Sequence, residues 1–321
     1  MTTQPMTTLT LTPTLPPIAP LGIGTWAWGD SLFWSYGKDY GAEQVETAFF
    51  AAIEAGITLF DTAEVYGLGE SERLLGKFLQ QTRQPILLAT KYMPLPWRFS
   101  PNQVRDAVKA SLDRLQRDRI ELYQIHQPVS FLISQQTLLD TLAAEVQAGR
   151  ITALGVSNYS ATQMRQAHKI LADRGIPLAV NQVPYSLLDR KIETSGVMET
   201  AKELGVTILA YSPLAQGLLT GKYSPETAQK TVMGARRLDP RFNEQGLQKI
   251  QPLVKLLQKI GENYDCTPAQ VALNWLMAQG SVVPIPGAKT ANQAQQNAGA
   301  LGWTLTPEEM TQIDLMTRSW R

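Results

Sequence analysis

Asp61, Tyr66, Lys91 and His126 carry side chains that together suit the delivery of a proton to oxygen. Hydride arriving at a carbonyl carbon leaves negative charge on the oxygen, and a positioned acid must then protonate it. A free tyrosine, with a pKa of about 10, is a poor donor at neutral pH. A lysine ammonium nearby stabilises the phenolate and lowers that value, and an aspartate beside the lysine holds it charged and in place. A histidine at the same spot can donate a hydrogen bond to the carbonyl oxygen and orient it. Singly, each residue has an ordinary reading: a strand-tip aspartate is often a cap, and a lone histidine is often a satisfied core residue.

Their positions along the chain argue for the set. Asp61 ends one apolar run and Tyr66 follows in FDTAEVYG; Lys91 ends the next in ATKY, and His126 the one after in QIHQP. Short apolar runs alternate with helical patterns throughout, the order of a parallel α/β fold. Strands are predicted at Pro20–Thr25, Leu59–Thr62, Ile86–Lys91, Leu122–His126, Ala153–Ser157, Val180–Val183, Thr207–Tyr211 and Val282–Ile285. Eight is the number that closes a barrel.

Helices are predicted at Glu43–Ala55, Ser71–Leu79, Asn102–Leu115, Gln136–Ala148, Ala161–Ala172, Ser195–Leu204, Leu247–Asn263 and Ala269–Ala278. Ser100 with Pro101, and Thr267 with Pro268, pair an N-cap with proline at the first helical position. Gly56, Gly149, Gly175, Gly205 and Gly280 stand where helices should stop. The expected fold is a single (β/α)8 TIM barrel over residues 1–321, preceded by a short β segment at Thr8–Thr12 that Pro13, Pro16 and Pro17 limit. Two long strand-exit loops, Tyr92–Phe99 and Lys222–Gln245, fall on the side where barrels build their sites.

Composition narrows the function classes. Apolar residues make up 44% and charged residues 18%, and 29 Lys and Arg nearly cancel 28 Asp and Glu. A net charge of +1 predicts neither a nucleic-acid nor an acidic-membrane partner. The one cysteine, Cys266, excludes an intramolecular disulfide and a Cys-rich metal site, and His126 and His168 form no HExxH pairing. Metal catalysis is therefore not expected. No run of about twenty apolar residues exists to span a membrane. Met1–Pro20 lacks the basic and apolar regions of a targeting signal, so it reads as part of the mature chain and a cytoplasmic location is expected.

The chain resembles the aldo-keto reductases along nearly its whole length, and within them the plant chloroplast and cyanobacterial members. The likeness runs from LGIGTWAWGD through GITLFDTAEVYG, LLATKY, ELYQIHQP, ALGVSNYS, NQVPYSLL and ILAYSPLAQGLLTGKY to IPIPGAKTANQAQQNAGALGW. It implies reduction of a small-molecule carbonyl with NADPH, yielding NADP+, and a catalytic tetrad of Asp61, Tyr66, Lys91 and His126 with Tyr66 as general acid. It also implies a cofactor held without a Rossmann motif. Accordingly GLGESE at Gly67–Glu72 is read as a helix lead-in, and GLLTGKY at Gly217–Tyr223 is no phosphate loop.

By the same resemblance, Gly24, Thr25, Trp26 and Asp61 border the cofactor, Ser157, Asn158 and Gln182 hold its carboxamide, and Tyr211 stacks on the nicotinamide. Ser212, Pro213, Leu214, Gln216, Gly217 and Lys222 would wrap the pyrophosphate. Gly287, Lys289, Gln293, Gln296 and Asn297 would take the adenosine end, with Lys289 on the 2′-phosphate. Gln293 departs from the arginine that many members carry there. Trp26, Trp28, Trp34 and Trp97 fall in strand-exit loops and are read as walls of the substrate pocket.

Three other readings stay open on sequence. Lys91 as a Schiff-base lysine would make the chain an aldolase. The superfamily also includes cofactor-sensing subunits of potassium channels, and one branch reduces pyridoxal.

Overall fold

The computed structural model describes residues 8–226, 236 and 238–321. Its strands are β1 (Gly22–Gly24), β2 (Leu59–Asp61), β3 (Leu87–Tyr92), β4 (Ile120–Ile125), β5 (Ile151–Ser157), β6 (Leu178–Pro184), β7 (Thr207–Tyr211) and β8 (Val282–Pro284). All pair in parallel and in chain order, forming one eight-stranded sheet. Gly24 closes the ring by a parallel bridge to Gly287, its N–H donating to the Pro286 carbonyl at 2.9 Å. A Cβ on Gly24 would lie 2.9 Å from the Ile285 carbonyl oxygen, so this closure requires glycine. The expected (β/α)8 barrel is what the chain forms.

Side chains alternate across each strand. Leu59, Leu87, Ala89, Leu122, Ala153, Val180, Leu209 and Val283 form one buried apolar cluster inside the ring. Leu11, Leu15 and Ile18 of the N-terminal segment join it, and Leu15 lies beside Pro85 and Ile86 at the strand-entry end. The predicted strand Thr8–Thr12 shrinks to one antiparallel bridge between Leu9 and Ile18. The prolines that follow turn the segment back before a ladder can extend. Further along the inner face the residues become polar: Asp61 follows Leu59, Lys91 follows Ala89, Gln124 follows Leu122, and Gln182 follows Val180. The apolar floor thus holds up a polar mouth.

Outside the sheet run α1 (Ala42–Glu54), α2 (Glu70–Leu79), α3 (Pro101–Leu115), α4 (Gln135–Gln147), α5 (Ala161–Ala172), α6 (Val197–Leu204), α7 (Glu244–Glu262), α8 (Pro268–Met277), α9 (Ala291–Ala298) and α10 (Pro307–Thr317). The Ser100 and Thr267 caps start α3 and α8 as expected, each as a capping box with proline in the first turn. The five glycines expected at helix ends all have positive φ. Helices α9 and α10 lie beyond the predicted set; α9, ANQAQQNA, buries only Ala294 and Asn297, too few apolar positions for a periodic signal. It nevertheless packs against α1 and completes the outer layer.

The predicted loop Lys222–Gln245 ends earlier than expected, since Glu244 opens α7; residues 227–235 and 237 of it lie outside the described residues. Among the described residues no helix is long and apolar enough to cross a membrane.

Candidate active site

Inward-facing positions near the ends of β2, β3, β4 and β6 bring Asp61, Lys91, Gln124 and Gln182 together at the mouth. Lys91 and Gln124 are register partners, as are Ser157 and Gln182. Lys91 is fully buried, and its Nζ donates to Asp61 Oδ2 at 2.5 Å and to the Thr62 carbonyl at 2.7 Å. An ammonium has three protons. The third faces the Tyr66 hydroxyl at 3.4 Å. Tyr66 begins a 3-10 turn just after β2, and its ring meets His126 edge-on, with centroids 5.8 Å apart. The four residues predicted at three successive strand exits therefore meet around one point.

Their electrostatics refine the expectation. Burial would pull the Lys91 ammonium down, but Asp61 and Tyr66 outweigh it and the net shift is upward. A lysine held this way is a fixed cation and not a free amine, which removes the Schiff-base reading. For Tyr66, burial raises the pKa more than Lys91 lowers it, with Asp61 adding to the rise. The predicted lowering by Lys91 is present but does not win: desolvating a phenolate costs more than one ammonium at 3.4 Å returns. Burial, and then Lys91, push His126 down to about 3, so its imidazole is neutral. Its Nδ1 is buried without a partner among the described residues.

Around this centre the other predicted residues fall into two groups. Ser157 donates to the Gln182 carbonyl at 2.9 Å, Asn158 Nδ2 donates to the His126 carbonyl at 3.1 Å, and the Tyr211 hydroxyl donates to Asn158 Oδ1 at 3.0 Å. Thr25 donates to the Asp61 carbonyl at 3.0 Å. In the connection after β7, Ser212, Ala215, Gln216 and Gly217 all have positive φ, a backbone conformation that curls the chain after Tyr211 into a cradle.

The second group gathers farther out. Lys289 Nζ lies 4.7 Å from the Trp34 ring centroid and 4.4 Å from that of Tyr40, and the Arg236 guanidinium lies 5.1 Å from the same Trp34 ring. Burial, followed by the charge of Arg236, lowers Lys289 to about 8, and exposed Lys222 adds to the effect. Lys289 and Arg236 thus flank the one Trp34 ring, and Lys222 is near enough for Lys289 to feel its charge. Gln293 accepts from the Lys289 backbone N–H at 2.7 Å, and Asn297 donates to the Gly287 carbonyl at 3.2 Å, so both brace this loop. Gln296 accepts through its backbone from Gln270.

The tryptophans divide. Trp26 is 40% exposed and stands 6.3 Å from the Tyr66 ring, and Trp97 is 61% exposed at the rim. Trp34 packs edge-on against Trp26 while also receiving the two cations. Trp28 is not a pocket wall: it is fully buried against Phe60 and Phe78, and its Nε1 donates to the Ala288 carbonyl at 2.7 Å. One residue of loop, Ala27, separates it from Trp26, and a loop has no period to say which ring turns inward.

Sequence reasoning missed Gln124, Glu64, Arg98 and Arg236. Gln124 was readable, standing on the inner face of β4 two residues after Leu122 and two before His126 at the strand exit. The other three act through loops, for which no spacing rule exists. Among the described residues no group of acidic, histidine or cysteine side chains is placed to hold a metal.

The comparisons with known proteins agree with this geometry. The model of the Aldo/keto reductase family matches residues 20–317. The chain is 40% identical over 309 residues to the chloroplastic pyridoxal reductase of Arabidopsis thaliana, covering 92% of this chain and 82% of that protein. It is 34% identical over 307 residues to an aldo-keto reductase of Bacillus subtilis, covering 92% and 88%. Among solved structures, the glycerol dehydrogenase of Gluconobacter oxydans superposes with a TM-score of 0.84 at 30% identity, over 96% of this chain and 94% of that one. An aldo-keto reductase of Klebsiella pneumoniae in complex with NADPH gives 0.73 at 27% identity, over 94% and 92%. With an eight-stranded parallel barrel, four convergent strand-exit residues and a family match over nearly its full length, this chain belongs to the aldo-keto reductase family of oxidoreductases.

Proposed function

We propose that the protein reduces aldehydes and ketones to alcohols with NADPH, Tyr66 giving the proton. The observation that carries this reading is the Lys91 ammonium, which spends two protons on Asp61 and Thr62 and turns the third to the Tyr66 hydroxyl. When bound, the nicotinamide supplies the hydride. Neutral His126 donates to the carbonyl oxygen and sets its direction, and Tyr66, kept protonated by burial, delivers its proton as negative charge develops there. Lys91 stabilises the phenolate left behind. The Trp26 ring stands beside that of Tyr66, with centroids 6.3 Å apart.

The residues present fit such a cofactor. Ser157, Asn158 and Gln182 would hold the carboxamide, Tyr211 would lie along the nicotinamide, and the cradle from Ser212 to Gly217 would take the pyrophosphate. Lys289 and Arg236 would share the 2′-phosphate, Arg236 supplying the second cation that Gln293 does not. Trp34 Nε1 and Arg236 Nε, both buried without partners among the described residues, are donors suited to an anion.

A second reading within the same chemistry is that pyridoxal is a substrate. The Arabidopsis thaliana relative bears that activity in its name, and the half-exposed Trp26 beside Tyr66 offers a face for a planar aromatic aldehyde. The deciding experiment is a panel of aliphatic, aromatic and pyridoxal aldehydes followed by NADPH consumption, beside a fluorescence titration of NADPH binding. Turnover of at least one class carries the proposal. Tight binding with no turnover would favour a cofactor-sensing subunit, and neither binding nor turnover would sink the reductase reading.

A further inference from the structure

Gln124 is a buried primary amide at the centre of the barrel mouth that the proton-transfer scheme above does not use. It lies on β4 with no exposed surface, beside its register partners Lys91 on β3 and Gly155 on β5. Its neighbour two positions earlier on the same face, Leu122, belongs to the apolar floor, so an amide here must find partners inside the ring. It does. Nε2 of Gln124 donates to Asp61 Oδ1 at 3.0 Å, Nε2 of Gln182 donates to the same oxygen at 2.8 Å, and Gln182 Nε2 also lies 3.1 Å from Gln124 Oε1. A Cβ on Gly155 would come 3.1 Å from Gln124 Cγ and closer still to Val180, so glycine at this register position leaves the amide its path to Asp61.

We propose that Gln124 is a positioning residue that pins the Asp61 carboxylate through Oδ1 and so directs the remaining ammonium proton of Lys91 at Tyr66. The proposal rests on the reductase reading for its consequence in catalysis, though not for its geometry. With Oδ1 occupied by two amide donors, the carboxylate cannot turn that oxygen towards Lys91, and Oδ2 alone receives the ammonium. The Thr62 carbonyl takes the second proton, which leaves the third for the phenol. Amides do not titrate in the working range, so this arrangement is the same at every pH where the enzyme acts.

Without Gln124, Oδ1 keeps Gln182 as its one amide donor, and Gln182 itself loses the Gln124 carbonyl that steadies it, so the carboxylate turns more easily about Cβ–Cγ and Lys91 follows it. The contact most easily lost is the longest, the 3.4 Å approach to Tyr66. Weaker stabilisation of the phenolate must then raise the Tyr66 ionisation further. The charged and titratable groups that bear on it are Asp61 from β2, Lys91 from β3, His126 at the exit of β4, which is neutral, and Tyr211 at the end of β7, which feels Tyr66 in turn. Only the Asp61–Lys91 pair is moved by the substitution.

Gln124→Leu and Gln124→Met, both close to glutamine in volume, test the proposal in the intact chain. Each is made with and without Tyr66→Phe, and the difference in tyrosinate ultraviolet absorbance between the paired proteins isolates the Tyr66 titration in cofactor-free protein. The expected result is an upward displacement of that titration by about half to one pH unit, given the usual size of hydrogen-bond effects on a neighbouring charge. The alkaline limb of kcat/KM for carbonyl reduction should move with it. kcat should fall about tenfold while the NADPH dissociation constant, read by fluorescence, stays within about twofold. A merely structural role would lower thermal stability and leave both pH readouts in place. Folded variants with an unmoved Tyr66 titration and an unmoved alkaline limb overturn the proposal. Because the absorbance measurement needs no cofactor, a shifted titration in a protein that reduces nothing would uphold Gln124 and reject the reductase reading.

Discussion

Arg98 grips the carboxylate of Glu64 with both ends of its guanidinium, Nη1 at 2.5 Å from Oε1 and Nη2 at 2.9 Å from Oε2. Nη1 also donates to the Met93 carbonyl at 3.0 Å, and Glu64 Oε1 accepts from the Met93 N–H at 2.6 Å. Glu64 stands between Asp61 and Tyr66, and Arg98 follows Trp97. One ion pair therefore ties the loop that carries Tyr66 to the loop that carries the exposed Trp97.

Arg98→Ala is expected to free the Trp97 loop and leave Glu64, whose side chain is 5% exposed, without its counter-ion. Breaking a largely buried pair from one side costs about 3 kcal/mol. KM for bulky carbonyls should rise more than kcat falls, together lowering kcat/KM by about tenfold. Denaturant unfolding and steady-state kinetics check both parts, and unchanged values in both would show that the clamp positions nothing.

Tyr66→Phe removes the proposed acid while keeping the ring beside Trp26 and His126. Carbonyl reduction should drop by about 100-fold or more with NADPH affinity preserved. The raised Tyr66 pKa fixes the sign of the pH dependence. Reduction needs the protonated phenol, the form present below its pKa, so rates stay level through neutrality and fall only above the ordinary phenol range of about 10. Alcohol oxidation needs the phenolate and should climb across that same interval. An alkaline fall in reduction near neutrality would contradict the assignment.

Lys289 is lowered to about 8 in the cofactor-free protein, first by burial and then by Arg236. It is therefore about half protonated at pH 8. A phosphate dianion favours the ammonium and reverses the shift, so NADPH binding at pH 8 should take up about half a proton, and NADH, which lacks the phosphate, much less. Calorimetry in two buffers of different ionisation enthalpy measures the uptake. Lys289→Ala should abolish the difference and weaken NADPH far more than NADH; equal proton uptake with the two cofactors would place Lys289 away from the phosphate.

Trp28 and Trp26 should respond oppositely to truncation. Trp28→Ala opens a cavity between Phe60 and Phe78 and costs about 3–5 kcal/mol in unfolding free energy. Trp26→Ala removes a half-exposed ring, costs less than about 1 kcal/mol, and changes the relative kcat/KM of aromatic and aliphatic aldehydes. Melting curves and the aldehyde panel separate the two outcomes.

The barrel, and the gathering of Asp61, Tyr66, Lys91 and His126 at its mouth, were legible because both follow local rules. Apolar runs of strand length, capped helices and glycine stops laid out the βα order, and four chemically matched residues at strand ends fell where strand exits converge. The inner face of β4 made even Gln124 accessible to the period-two rule, two residues before His126. Loops obey no such period. Trp26 and Trp28 are two residues apart in one connection, yet one lines the mouth and the other fills the core; Arg236 and the Glu64–Arg98 pair reach their places across turns that composition does not describe.

By itself the sequence determined the order of the elements, and with it which side chains gather at the barrel mouth, since side-chain alternation and strand order are local properties of the chain. How those groups ionise and which partners they take depends on the closed ring. For Tyr66, burial outweighs Lys91; for Lys91, Asp61 outweighs burial; for Asp61, two amides arrive from β4 and β6. Each of these balances sets desolvation against Coulombic and hydrogen-bond terms that depend on distances between residues far apart in sequence, and those distances exist only once the ring has closed.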